Sequence, residues 1–214
     1  MGRAFAIAFS ALLIVVSCGP LRKPWAEAQA PSPTAEIKQS IDQALAALKE
    51  GAPSEAELLA RLRKILEPQV DFEEMGRRVL GRHYPPNRHR MSEFLELFRQ
   101  FLERRYVQRV WLEEGKGVSV SYRGETVGDS GSASVRITIT TAKGVDVPVE
   151  FRLHRASLRW LVYDILIENF SLVSNYRTQF NKILAQRSFD ELLAQMRQTI
   201  AQAEAAERQA ERRR

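Results

Sequence analysis

The run Gly128-Asp129-Ser130-Gly131 has the composition of a segment that carries a nucleophilic serine, and such a hydroxyl needs a histidine and an acid within hydrogen-bonding reach. In double β-barrel serine proteases those partners are supplied by strands upstream, whereas the chain upstream of Gly128 reads as helical. Gly, Asp and Ser are turn formers and the run sits just before a strand pattern, so a loop is the reading. His83, His89 and His154 are the three histidines, and they show no ligand spacing with one another or with a cysteine; no metal site is expected. Asp71, Glu73 and Glu74 form an acidic cluster, but they occupy the first turn of a predicted helix, where carboxylates favour the dipole. No catalytic residue is therefore assigned.

The most informative stretch is 160–180, WLVYDILIENFSLVSNYRTQF. Trp160, Val162 and the run Ile165, Leu166, Ile167 have the β-branched and aromatic bias of a strand. Directly after it, Phe170, Val173, Tyr176, Phe180, Ile183 and Leu184 recur at helical spacing, with Ser171 placed to cap. Asp164 reads as structural, capping or pairing near this junction. A wide apolar strand thus feeds a helix whose apolar face must lie against the sheet.

The preceding elements follow from the same periodicities. Thr34 is placed to cap a helix bearing Ile37, Ile41, Leu45 and Leu48, which ends before Gly51. Ser54 and Glu57 make a capping box for a second, with Leu58, Leu62, Ile65 and Leu66, stopped by Pro68. A third opens at Asp71 and runs to about Gly81. A long fourth follows Pro85-Pro86 with Phe94, Leu97, Phe98, Phe101, Leu102, Tyr106 and Val110 on one stripe. From Gly117 the period becomes twofold: Val118, Val120 and Tyr122, then Val135, Ile137 and Ile139, then Val147, Val149, Phe151 and Leu153 alternate with polar residues. Turns near Lys143-Gly144 and Ala156-Ser157 make a four-stranded antiparallel meander, apolar on one face, which the helices must cover. The expected fold is α+β, a curled four-stranded antiparallel sheet packed on N- and C-terminal helices around an apolar cavity. The same apolar residues also fit an ordinary packed core.

Of the 214 residues, 44% are hydrophobic and 27% charged, the balance of one globular domain. Residues 1–17 carry Arg3 and a short apolar run that reads as a secretory signal. Two ends compete: A-x-A sites at 26–30, and a lipoprotein-type box at 15–18 that would make Cys18 a lipidated tether to a membrane. Cys18 is the only cysteine, so the folded part has no disulfide and no thiol chemistry. Residues 1–30 are taken as signal and leader, and 31–214 as a single domain ending in a solvated helical tail. The net charge of +6 is mildly basic. Arg77-Arg78, Arg82, Arg88, Arg90, Arg104-Arg105 and the tail Arg208, Arg212, Arg213 and Arg214 suggest a rim for an anionic membrane or acidic partner. The aromatics sit on apolar stripes rather than among these arginines, so no nucleic-acid surface is expected.

Three separated segments, DFEEMGRRVLG at 71–81, FLELFRQFLERRY at 94–106 and the 160–180 stretch, fall in an order and spacing that resembles the MlaC family. Its members are the periplasmic phospholipid-binding proteins of the Mla lipid transport system, also called toluene-tolerance auxiliary proteins. The resemblance spans roughly residues 37–200, with one departure at Asn169-Phe170, beside the expected pocket mouth. It implies a non-enzymatic, periplasmic, monomeric carrier serving outer-membrane lipid asymmetry. A bound phospholipid is the ligand, and there is no cofactor. Its implied partners are an inner-membrane ABC transporter complex with its substrate-binding membrane subunit and an outer-membrane lipoprotein complex. Burying a methylene is worth about 0.8 kcal/mol, so two acyl tails represent roughly 20 kcal/mol of apolar surface and need a deep cavity. The residues it suggests for tail contact are Val79, Phe98, Phe101, Val135, Ile137, Val149, Phe151, Ile165, Phe170, Val173 and Tyr176. Arg177 is suggested for the lipid phosphate, with a surface pair to Asp164 as the plain alternative. Two other classes stay open: an enzyme acting on an apolar substrate in a cone-shaped α+β fold, and a periplasmic adaptor without a cavity.

Overall fold

The computed structural model describes residues 31–105 and 117–211. The candidate signal, Cys18, Tyr106 and Val110 lie outside the described residues.

Helix α1 (Pro33–Glu50) starts with Ser32 rather than Thr34: the Ser32 hydroxyl accepts from the Ala35 amide at 3.2 Å, and Pro33, which has no N–H to leave unpaired, takes the first helical position. Gly51 ends it at φ 69°. Helix α2 (Glu55–Leu66) has Ser54 accepting from the Glu57 amide, and its Leu62 packs on Ala44 and Ala47 of α1. Pro68 sits in the 3-10 turn Glu67–Gln69 that stops α2. Asp71 caps α3 (Phe72–Leu80), accepting from the Glu74 amide at 2.9 Å. Two 3-10 turns then lead into α4 (Met91–Leu102), so the prolines at 85 and 86 delay that helix by several residues. Gly76 stands where α3 meets α4: a Cβ there would lie 2.6 Å from a Leu95 methyl and 3.3 Å from the Phe94 ring.

Strands β1 (Ser119–Val127), β2 (Ser132–Thr140), β3 (Asp146–Ala156), β4 (Arg159–Ile167) and β5 (Phe170–Ser171) form one open antiparallel sheet in sequence order. The meander is as expected but has five strands rather than four. The extra one arises because Glu168 and Asn169 both adopt positive φ, 50° and 68°, which closes a two-residue hairpin before the next helix begins. The Gly-Asp-Ser-Gly run is the β1–β2 turn, and Gly128 N–H donates to the Ser132 carbonyl at 2.8 Å. In β4 the pairing with β3 jumps from Leu153–Val162 to Arg152–Asp164, a bulge that leaves Tyr163 extra. Helices α5 (Leu172–Leu184) and α6 (Phe189–Glu211) close the described chain, with Ser188 and Glu191 capping α6 reciprocally.

Two cores result. Helices α3 to α6 bury Phe94, Phe98, Tyr176 and Phe180 against one another, with Phe98 edge-on to Tyr176 at 5.8 Å and to Phe180 at 6.1 Å. The sheet buries Val135, Ile137, Leu153 and Val162 under Ile37 and Ile41 of α1. The cores stay distinct because the helices satisfy much of their apolar surface among themselves, so they do not fill the curl of the sheet.

A candidate apolar cavity between sheet and helices

Between the two cores lies a cavity of about 310 Å³, within the range of roughly 300–1,000 Å³ found for small-molecule pockets. The sheet supplies one wall through alternate residues, Val147, Val149 and Phe151 on β3 among them, since side chains two apart share a face. The β4 bulge keeps Ile165 and Ile167 on that same wall after Val162. Ile37 and Ile41 close it from α1, Phe72 and Met75 from α3, and Leu102 and Leu172 from α4 and α5.

The polar part of the lining is concentrated in Arg63, Glu67, Gln69, Arg99 and Glu103. Arg63 and Glu67 sit four residues apart at the end of α2, as do Arg99 and Glu103 at the end of α4. The stronger contacts are exchanged between elements: Arg63 donates to Glu103 at 2.6 Å and Arg99 lies 3.5 Å from Glu67, while Arg63 and Glu67 are 3.9 Å apart. Burial pushes the Glu67 carboxyl up, and the Arg99 and Arg63 charges only partly oppose that. Gln69 Oε1 and Arg99 Nε are buried there without a hydrogen-bond partner among the described residues.

Of the residues singled out from the sequence, Ile137, Val149, Phe151 and Ile165 stand together on the cavity wall. Val135 shares their face and is buried in the sheet core, but it does not line the cavity. Val79, Phe98, Val173 and Tyr176 are buried in the helical core with Phe101 packed at its edge, because α3 to α6 turn their apolar faces toward each other. Phe170 is 76% exposed at the β4–β5 turn. Arg177 lays its guanidinium over Gly81, 3.2 Å from where a Cβ would be, and so braces the end of α3. Asp164 pairs within the junction: at 3% exposed, it accepts from the Ser171 hydroxyl at 2.7 Å and the Val173 amide at 3.1 Å. The rim residues Arg63, Glu67, Arg99 and Glu103 escaped the sequence reading. Their repeated Arg-x-x-x-Glu spacing was the available signal, though it reads first as two separate intrahelical pairs.

Among the described residues, no His, Cys, Asp or Glu group could hold a metal ion, and no helix is long and apolar enough to cross a membrane. The Tyr122 phenol, pushed up to about 12 by burial and then by Asp42, lies outside the cavity lining.

The MlaC protein family matches residues 38–198 of the chain. The intermembrane phospholipid transport system binding protein MlaC of Haemophilus influenzae is 27% identical over 146 residues, covering 66% of this chain and 67% of that one. A phospholipid-binding protein from Ralstonia solanacearum, solved in complex with a phospholipid, superposes with a TM-score of 0.70 at 22% identity, over 81% of this chain and 99% of that one. That likeness establishes a shared fold, and with the greater part of its length matched by the family, the chain belongs to the MlaC family.

Proposed function

We propose that this chain is a phospholipid carrier that holds acyl tails in the cavity, keeps the headgroup near the charged rim, and moves lipid between membranes. The observation that carries this reading is the apolar cavity of about 310 Å³ bounded by the sheet and five helices, opening beside a cluster of charges. Ile137, Val149, Phe151 and Ile165 are assigned to tail contact, because each presents an apolar side chain to that space. Val79, Phe98, Phe101, Val135, Val173 and Tyr176 act at one remove, by holding the walls in place. Support also comes from similar proteins: intermembrane phospholipid transport for the Haemophilus protein, and a bound phospholipid for the Ralstonia structure.

Water-averse tails do not cross an aqueous compartment unaided, and burial worth about 0.8 kcal/mol per methylene explains why a closed apolar container is needed. The reading is of a periplasmic carrier with no chemical step. It takes up and delivers lipid at the two membranes, with an outer-membrane lipoprotein complex and an inner-membrane ABC transporter complex as its partners there. Among the described residues, the acids and bases of the lining, Glu67, Glu103, Arg63 and Arg99, pair with one another. The test is transfer of a fluorescent phospholipid from donor to acceptor vesicles. A rate that rises in proportion to added protein supports the carrier, and a rate equal to that of vesicles alone refutes it.

A further inference from the structure

The register of the sheet carries the cavity face out past the cavity. Ile167 lines the cavity, and the two-residue turn of Glu168 and Asn169 sets Phe170 directly opposite it. Opposed residues of an antiparallel pair share a face, so Phe170 stands on the cavity side, yet it is 76% exposed. The β2–β3 turn repeats the arrangement. Thr141 lines the cavity and donates its amide to the Val145 carbonyl at 2.9 Å; Val145 faces it across the turn, two residues before the lining residue Val147, and is 56% exposed. Scattered exposed apolar residues need no explanation. These two prolong the lining of a cavity at one end of the sheet, whereas exposed Val127 and Leu158 at the other end adjoin no lining residue.

We propose that Phe170 and Val145 form a lip that dips into the interfacial zone of a phospholipid bilayer, so that acyl chains pass from membrane to cavity over Phe170 and Ile167 without crossing water. This rests on the carrier reading above. Two side chains on turn tips bury far less than the roughly 800 Å² per partner of a standard protein interface, which disfavours a protein as occupant. An exposed aromatic ring at the mouth of an apolar space suits the boundary between headgroups and tails. The attraction is apolar rather than ionic: Lys143 on one turn is offset by Glu168 on the other, and Asp146 is engaged by the Thr140 hydroxyl at 2.6 Å. Contact therefore needs no anionic lipid and withstands salt.

The experiment measures transfer of fluorescent phosphatidylcholine between protein-free phosphatidylcholine vesicles by the full chain, beside the lipid content of each purified variant. Phe170→Glu combined with Val145→Glu slows transfer about tenfold, the scale set by losing a buried aromatic contact. Its lipid content stays that of the unmodified protein. Leu158→Glu, at an exposed apolar residue on the opposite end of the sheet, transfers at the unmodified rate, and raising salt leaves that rate unchanged. Unchanged transfer by the double variant overturns the lip and leaves a protein partner as the occupant of this edge. Loss of bound lipid in step with transfer overturns it too, by placing Phe170 in the cavity. An unmodified protein that carries no lipid refutes the carrier reading and the lip with it.

Discussion

Arg63 on α2 and Glu103 at the end of α4 face each other across the cavity mouth, and the guanidinium donates to both carboxylate oxygens, Nη2 to Oε1 at 2.6 Å and Nε to Oε2 at 3.1 Å. This bidentate pair joins two helices that have no backbone connection at that point. The Arg63 side chain is 49% exposed, so the pair contributes at most about 1 kcal/mol to stability. Its position matters more than its strength. Arg63→Ala is expected to speed lipid exchange several-fold while shifting the urea midpoint little. Exchange that is slower or unaltered in Arg63→Ala would show that the pair does not restrain the mouth.

Asp164 sets the geometry of the junction between β4 and α5. Replacing it with Ala removes two charge-assisted hydrogen bonds and leaves the Val173 amide buried without a partner. A loss of about 2–4 kcal/mol is expected, read as a lower urea midpoint at unchanged slope. Ser171→Ala, which removes the cap on the Ser174 amide, should cost about 1 kcal/mol. Equal stability for Asp164→Ala and the unmodified chain would contradict this account of the junction.

Phe98 separates wall support from tail contact. It is 1% exposed and packs on Phe94, Tyr176 and Phe180, so Phe98→Ala should cost about 3–5 kcal/mol in thermal or urea unfolding. The fraction that remains folded should still carry lipid. A variant of ordinary stability that has lost its lipid would move Phe98 from the core to the cavity.

His83 makes stability depend on pH near neutrality. Burial, then the adjacent Arg82, lowers its pKa, and Arg82 Nε donates to His83 Nε2 at 3.3 Å, a contact that requires the unprotonated ring. A basic group whose folded pKa lies below its unfolded value of about 6.5 binds fewer protons when folded. Its contribution is therefore complete above about pH 6.5 and is lost as the pH falls through that value toward the folded pKa. Unfolding midpoints should fall between pH 7.5 and pH 5.5, and His83→Gln should flatten that slope. The Glu74 carboxyl acts in a lower window: burial raises it, hydrogen bonds from Arg77 and Arg78 outweigh that, and its contribution disappears only below the ordinary carboxylate range. An unchanged slope in His83→Gln would assign the dependence elsewhere.

Periodicity and capping chemistry made most of the fold legible. Ser54 and Ser171 cap the helices they were expected to cap, Asp71 opens α3 as its cap rather than within its first turn, and the apolar alternation at 135–139 and 147–153 marks the inner face of the sheet. The fifth strand was hidden because it is two residues long and rests on positive φ at Glu168 and Asn169, neither of which is glycine. A pattern of apolar residues also says which face is buried without saying whether it meets side chains or empty space. Val135 and Ile137 are two apart on one strand and buried in the same core, yet of the two only Ile137 borders the cavity. Phe98 and Tyr176 are likewise apolar at helical spacing, and only the crossing of α3 to α6 decides that they face each other. The exchanged pairs of Arg63, Glu67, Arg99 and Glu103 depend on helices brought together from 40 residues apart.

The most direct test of the carrier account is native mass spectrometry of the protein purified without detergent, beside Ile137→Trp, which places an indole in the cavity wall. The unmodified protein is expected to fly with one phospholipid, identifiable after organic extraction, and the indole variant to fold but fly bare. An unmodified protein that flies bare and takes up no lipid from vesicles would contradict it, as would an indole variant that keeps its full load of lipid.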